Sequence, residues 1–249
     1  MQTNALKATG INARGQAVAE LLVGVCGTAD AISKVGSHPA WVDEAYMLGR
    51  SFLERCVNIS YLIVCGDDEF REMLDHDLSR QYSNTNRSVV TEHLSFTVAQ
   101  LQRPELAELD ERVRSAVEKF TDKRGRHKDW TALSLPQRID RLATLEPNCG
   151  LDVFLLVYLA VYAHASEALH GSLAGVRHFN RGEFAFDHTR GDYTWDDRSS
   201  QLLTLFVALS KCAVAVLRLL NVRFPHPALQ SEANSMSLAL DSFFKSLKM

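Results

Sequence analysis

Residues 39–66 read PAWVDEAYMLGRSFLERCVNISYLIVCG, and their pattern decides the fold. Pro39 suits the first turn of a helix, Asp43 and Glu44 favour its N-terminal dipole end, and its end falls near Gly66. Between them Leu48, Phe52, Leu53, Cys56, Val57, Ile59, Leu62 and Ile63 cover almost every face. A helix that is apolar on most faces is enclosed by other elements, so this segment predicts a bundle built around it. Arg50, Glu54 and Asn58 interrupt the pattern at i, i+4 and i+8, a spacing that makes them neighbours along one stripe. Polar groups on such a helix need partners.

Working outward, 249 residues with 46% hydrophobic and 23% charged side chains make an ordinary globular composition. Glycine and proline fall at helix boundaries. The pattern predicts helices over about 16–34, 68–82, 87–102, 104–123, 135–145, 151–173, 196–221 and 227–247, with residues 1–14 frayed. Ser134-Leu-Pro-Gln137 is a capping-box signal for one of them. Phe184, Phe186, Tyr193 and Trp195 alternate with polar residues around a turn, which predicts a β-hairpin at 183–196. The expected architecture is one all-α domain of about seven helices, with a family-like core at 40–175 and that hairpin inserted. In the last helix, Leu229, Met236 and Phe243 recur at seven-residue intervals, as do Ala233, Leu240 and Leu247. This seam is too short for an independent coiled coil, so it should dock on its own bundle or mediate self-association or binding to a protein partner.

The helix expected at 151–173 carries a second polar stripe. Tyr158, Tyr162, Ser166 and His170 repeat every four residues, with Glu167 beside Ser166. If the two stripes face each other, a candidate site forms. His170 would serve as acid or base near neutral pH, Ser166 as nucleophile or relay, Arg50 as an anion anchor and Glu54 as its carboxylate partner. Tyr158, Tyr162, Asn58 and Glu167 would line it as binding residues. The same residues also suit a satisfied network that locks two core helices together.

Three segments carry a family resemblance: the helix with Arg50, Ser51, Glu54 and then Tyr61-Leu62, the loop Trp130-Thr-Ala-Leu-Ser134, and Tyr158 to Gly171 with Tyr162, Ser166 and His170. In this order they resemble a mainly bacterial family of all-helical proteins catalogued as a domain of unknown function. The resemblance implies a helical fold and no assigned chemistry.

Composition narrows the function classes. The net charge of -3 gives no global field for nucleic acid, although RNA stays open, and Lys119, Lys123, Arg124, Arg126, His127 and Lys128 form a basic patch at a helix end. Five scattered cysteines without a CxxC pair fit a reducing compartment, and a cytoplasmic location is expected. The first apolar run, 17–25, starts late and contains Glu20, unlike a secretory signal. The run 202–220 carries Lys211 and Arg218, so a core helix is expected and no membrane span. His178, His188, Asp187, Asp192, Asp196 and Asp197 crowd one region without metal-ligand spacing. Phosphate-loop, dinucleotide and serine-hydrolase motifs are missing, so neither metal nor cofactor is expected. A regulatory or interaction protein, linked to bacterial stress or phage defence, is the first expectation. The alternative is a small hydrolytic enzyme, of the ribonuclease-toxin kind, using Arg50, Glu54, Ser166 and His170. Some helical nucleases pair arginine with a histidine four to six residues on. Arg71/His76, Arg87/His93 and Arg181/His188, with four, five and six residues between them, come near that spacing, Arg87/His93 being placed on an expected helix.

Overall fold

A computed structural model describes residues 13–246 apart from 85, 91, 93, 100–107, 173–178 and 180–194. The described chain is overwhelmingly helical, and its contacts gather into two compact units. The first comprises Met1–Val64 and Leu135–Met249; the second is the segment Cys65–Ser134.

In the first unit, α1 (Ala13–Val35) leads through a 3-10 turn at Pro39–Trp41 into α2 (Val42–Val64). The turn is capped by His38, whose ring accepts from the Ala40 amide. As the pattern predicts, α2 is the central helix, burying thirteen residues that include Phe52, Leu53, Cys56, Val57, Ile59 and Tyr61. It packs against α1, against α5 (Leu135–Leu145) and against the segment formed by α6 (Val153–Val157), a π-helical turn (Tyr158–Tyr162) and α7 (Ala163–Leu169). It also packs against α8 (Trp195–Arg223). Core residues Phe154, Val157, Val161, Leu205, Cys212 and Leu219 close around it, each without solvent exposure. Arg14 donates to the Leu62 carbonyl at 2.9 Å, satisfying one acceptor of the last turn of α2.

Gly49 sets the helix spacing. A Cβ there would lie 2.7 Å from Leu205 Cδ1 and 3.3 Å from Val161 Cγ1, so the missing side chain lets α8 and the π turn close on α2. The final helix, α9 (Pro227–Ser246), lies along α8. Its ties are Asn221 to Gln230 at 2.7 Å, Arg218 to Ser237 at 3.0 Å and Lys211 over the Phe244 ring at 5.1 Å. α8 passes the length and hydropathy test for a membrane span, with half of its most apolar window buried inside the protein.

The second unit holds α3 (Asp67–Asn84), strands β1 (Asn86–Val90) and β2 (Ser95–Ala99), and α4 (Glu111–Phe120), which the Asp110 carboxylate caps by accepting from Val113 N at 3.0 Å. The strands pair antiparallel, Asn86 opposite Ala99 and Val90 opposite Ser95. The helix expected at 87–102 is therefore corrected. The β-branched residues Val89, Val90, Thr97 and Val98 fit a pleated strand better than a helix. With it goes the helical placement of Arg87, which lies on β1; His93 is outside the described residues. The hairpin expected at 183–196 lies outside the described residues up to 194, while Trp195 and Asp196 open α8 rather than end a strand. His178, Asp187, His188 and Asp192, with Arg181, also lie outside them.

Candidate functional site

The site predicted from the two stripes lies within the first unit, where α2 meets the π turn and α7. Arg50 is its centre. Its Nε donates to Glu54 Oε1 at 3.2 Å along α2, and its Nη1 donates to Ser166 Oγ at 3.0 Å across to α7. The guanidinium also lies over the Tyr162 ring, 4.4 Å from its centroid, where the negative face of the ring attracts it. Tyr158 stacks on Tyr162 with centroids 4.8 Å apart and planes at 25°. Four of the predicted residues, with Tyr158 behind them, thus form one connected group.

This group is not sealed. The Arg50 side chain is 20% exposed and Glu54 40%, so the ion pair sits at the rim of the helix interface and is partly screened by water. Burial, reinforced by the nearby Glu54 carboxylate that accepts a hydrogen bond from it, pushes the Tyr162 phenol above its ordinary value of 10.0, and Arg50 offsets part of this. Tyr162 is accordingly a neutral donor at physiological pH.

The remaining predicted residues go elsewhere. His170 is the exposed C-terminal cap of α7; its amide donates to the Ser166 carbonyl at 3.1 Å, but its ring makes no hydrogen bond or ion pair with Arg50, Glu54 or Ser166. Helix geometry explains this. A four-residue repeat advances ~40° per step on a helix of 3.6 residues per turn, so the stripe winds off the face it started on. The π turn takes more residues per turn and offsets that drift between Tyr158 and Tyr162, but nothing offsets it between Ser166 and His170. Glu167 is exposed and accepts from Ser172 Oγ at 2.5 Å, within its own helix end. Asn58 turns to another helix, its Oδ1 accepting from Arg138 on α5. Sequence reasoning missed Arg138, because the partner lies 80 residues away and no local spacing marks it. It also missed Arg55, which reaches from α2 to the Gly24 carbonyl and the Thr28 hydroxyl of α1.

Chemically, the arrangement fixes a guanidinium in place and leaves Ser166 hydrogen-bonded to a cation rather than to a base. A nucleophilic serine needs a neighbouring proton acceptor. Among the described residues no imidazole bonds to Ser166.

Comparison with curated proteins and with solved structures gives no match in either set. Comparison with family models does: residues 16–186 match a model described as "Family of unknown function (DUF5677)". That span contains α1 from residue 16 on, α2, the whole second unit, and the π turn with α7. The chain belongs to this family of unknown function.

Proposed function

We propose that this protein acts without catalysis, as a regulatory or interaction protein of the cytoplasm whose Arg50 cluster is a clasp between helices. The observation that carries this reading is the commitment of Arg50: carboxylate, hydroxyl and aromatic face all come from its own chain. An anion-binding arginine is expected to keep a fork of donors directed at open space. Four buried cysteines without disulfides, Cys56, Cys65, Cys149 and Cys212, support a reducing compartment.

The hydrolytic alternative needs an acid–base group at Ser166, and His170 is the residue it would use. Three variants separate the two readings. Under the clasp reading, Glu54→Ala and Ser166→Ala lower the melting temperature, while His170→Ala alters neither stability nor any cellular effect of overexpression. Loss of an overexpression phenotype in a folded His170→Ala protein would overturn the clasp reading in favour of the enzyme.

A further inference from the structure

Three helices of the first unit enclose a groove of about 440 Å³, a size that suits a small ligand. α8 forms its floor; α6, with Gly150 and Asp152 just ahead of it, forms one wall and α9 the other. Val153, Val214, Ala215 and Leu240 make its middle apolar. At one end stands Lys211, its Nζ over the Phe244 ring at 5.1 Å from the centroid. At the other stands Arg218, whose Nη2 donates to Ser237 Oγ at 3.0 Å and whose Nη1 would lie 3.7 Å from a Cβ placed on Gly150. With Lys211 level with Phe244 and Arg218 level with Ser237, α8 and α9 run antiparallel. That register sets Asp241 three residues, ~4.5 Å, along the groove from Lys211. Asp152 stands on the opposite wall, two residues after Gly150 and so toward the Arg218 end.

The charges of this groove are not matched to one another. Among the described residues Lys211, Asp152 and Asp241 form no ion pair, and Arg218 has a hydroxyl partner but no carboxylate. Farther along the same helix Arg223 does find an acid, Glu146. Lys211 is the most telling of the four. It is half-buried, in a helix apolar enough to pass the hydropathy test for a membrane span, and its ammonium has an aromatic face but no anion beside it. Asp152 and Asp241 are exposed and approach the same space from the two walls.

From this arrangement we propose that the groove binds a short apolar peptide, two residues long, with both of its termini charged. Lys211 holds the carboxylate. Asp152 and Asp241 take the ammonium between them, since its three hydrogens can serve two acids. The aliphatic side chains lie on Val153, Val214, Ala215 and Leu240. Spacing selects the length: two extended residues span about 7 Å, enough to reach from Lys211 into the stretch that the two acids flank. A free amino acid carries both charges on one carbon and serves only one end. A fatty anion would face two carboxylates and a hydrophobic amine would face Lys211, and like charges so placed oppose binding. Arg218, bonded to Ser237, closes the far end. The groove shares no residue with the Arg50 cluster, and either reading can fail without the other.

The test is isothermal titration calorimetry of the full chain with leucyl-leucine, its N-acetyl form, its C-terminal amide and free leucine. Leucyl-leucine should bind, and each capped form should bind more weakly by about tenfold, the loss of one charge-assisted contact. Lys211→Met should weaken leucyl-leucine by a similar factor and should bind the amide as well as the free acid. Asp152→Asn/Asp241→Asn should in the same way stop distinguishing the N-acetyl form. No binding of leucyl-leucine at millimolar concentration, equal binding of either capped form or of free leucine by the parent protein, or full discrimination kept by the variants would each overturn the proposal. The capped ligands probe the unaltered protein, so the outcome does not hang on the variants folding.

Discussion

Arg50 donates to Ser166 at 3.0 Å across a separation of 116 residues in sequence, joining the central helix to α7 through a single charge-assisted bond. Bonds of this kind are worth more than neutral ones, about 1.5–3 kcal/mol where the partner is charged, less where water competes. Arg50 is partly exposed, so the lower part of that range applies. Arg50→Ala should cost about 1–3 kcal/mol and Ser166→Ala about 1 kcal/mol. A double-mutant cycle measured by urea denaturation should give a coupling of about 0.5–1.5 kcal/mol. Strict additivity would mean the bond contributes nothing.

Gly49 offers a steric counterpart. Gly49→Val pushes a branched side chain against Leu205 and Val161 and should destabilise by about 1–3 kcal/mol. Gly49→Ala meets chiefly the terminal methyl of Leu205, which can rotate away, and it recovers up to about 1 kcal/mol of helix propensity. Its stability should stay close to that of the parent. Thermal melts of the two variants side by side give the comparison, and an alanine variant as unstable as the valine one would show the helices cannot yield at all.

The second unit should respond to mild acid. His76 is held below its ordinary pKa of 6.5 by burial first, then by His127 and Arg80, with Asp129 and Asp77 opposing. Its folded environment thus disfavours the protonated ring, and the unfolded chain binds the proton more readily. This contribution to stability is complete above the ordinary value and is lost as pH falls through and below it. Denaturation midpoints at pH 7.5 and 5.5 should differ, and His76→Phe should narrow the difference. An unaltered difference in the variant would place the acid sensitivity elsewhere.

Removing residues 227–249 strips α9 from α8, leaving Val214 and Ala215 beside a groove of ≈ 440 Å³ without its Leu240 and Phe244 wall. The truncated chain should melt several degrees lower and bind a hydrophobic dye, with a few degrees corresponding to about 1 kcal/mol in a chain of this size. Its mass in solution should fall only by the deleted residues. An unchanged melting temperature would mean α9 contributes nothing where it lies.

The central helix and the segment after Gly150 were legible because each is long, apolar on most faces and bounded by clear stop signals. Arg50 and Glu54 were equally legible, as a stripe that the surrounding leucines and valines could not explain. What escaped was whatever depends on tertiary placement or on a departure from 3.6 residues per turn. The β-branched residues Val89, Val90, Thr97 and Val98 were few enough to be absorbed into a helix pattern, yet β1 and β2 contain them. Asn58 gave no hint of Arg138, since a hydrogen bond between helices leaves no spacing in the chain. His170 shared a repeat with Ser166, but a repeat of four is only an approximation to a helix turn, and its error accumulates. The basic patch at 119–128 was visible as composition, while the hydrogen bonds of Asp122 to the Arg126 amide and of Ser79 to His127 that brace it were not.

The π turn at Tyr158–Tyr162 turns residue counting into an angular constraint. It accommodates one residue more than the α-helical path requires, and in an α-helix one residue is worth ~100° of rotation. Deleting the exposed Leu159 would let the segment relax to α-helix throughout, and because the π turn already absorbs that residue, everything after it would keep nearly the same angle relative to Phe154 and Val157. A second deletion in the same segment would find no bulge to absorb it, and Ser166 would swing by ~100° away from Arg50 while Phe154 kept its place in the core. The interval between Phe154 and Ser166 therefore behaves like a gear with one spare tooth: it tolerates the loss of a single residue and disengages the two helices at the next.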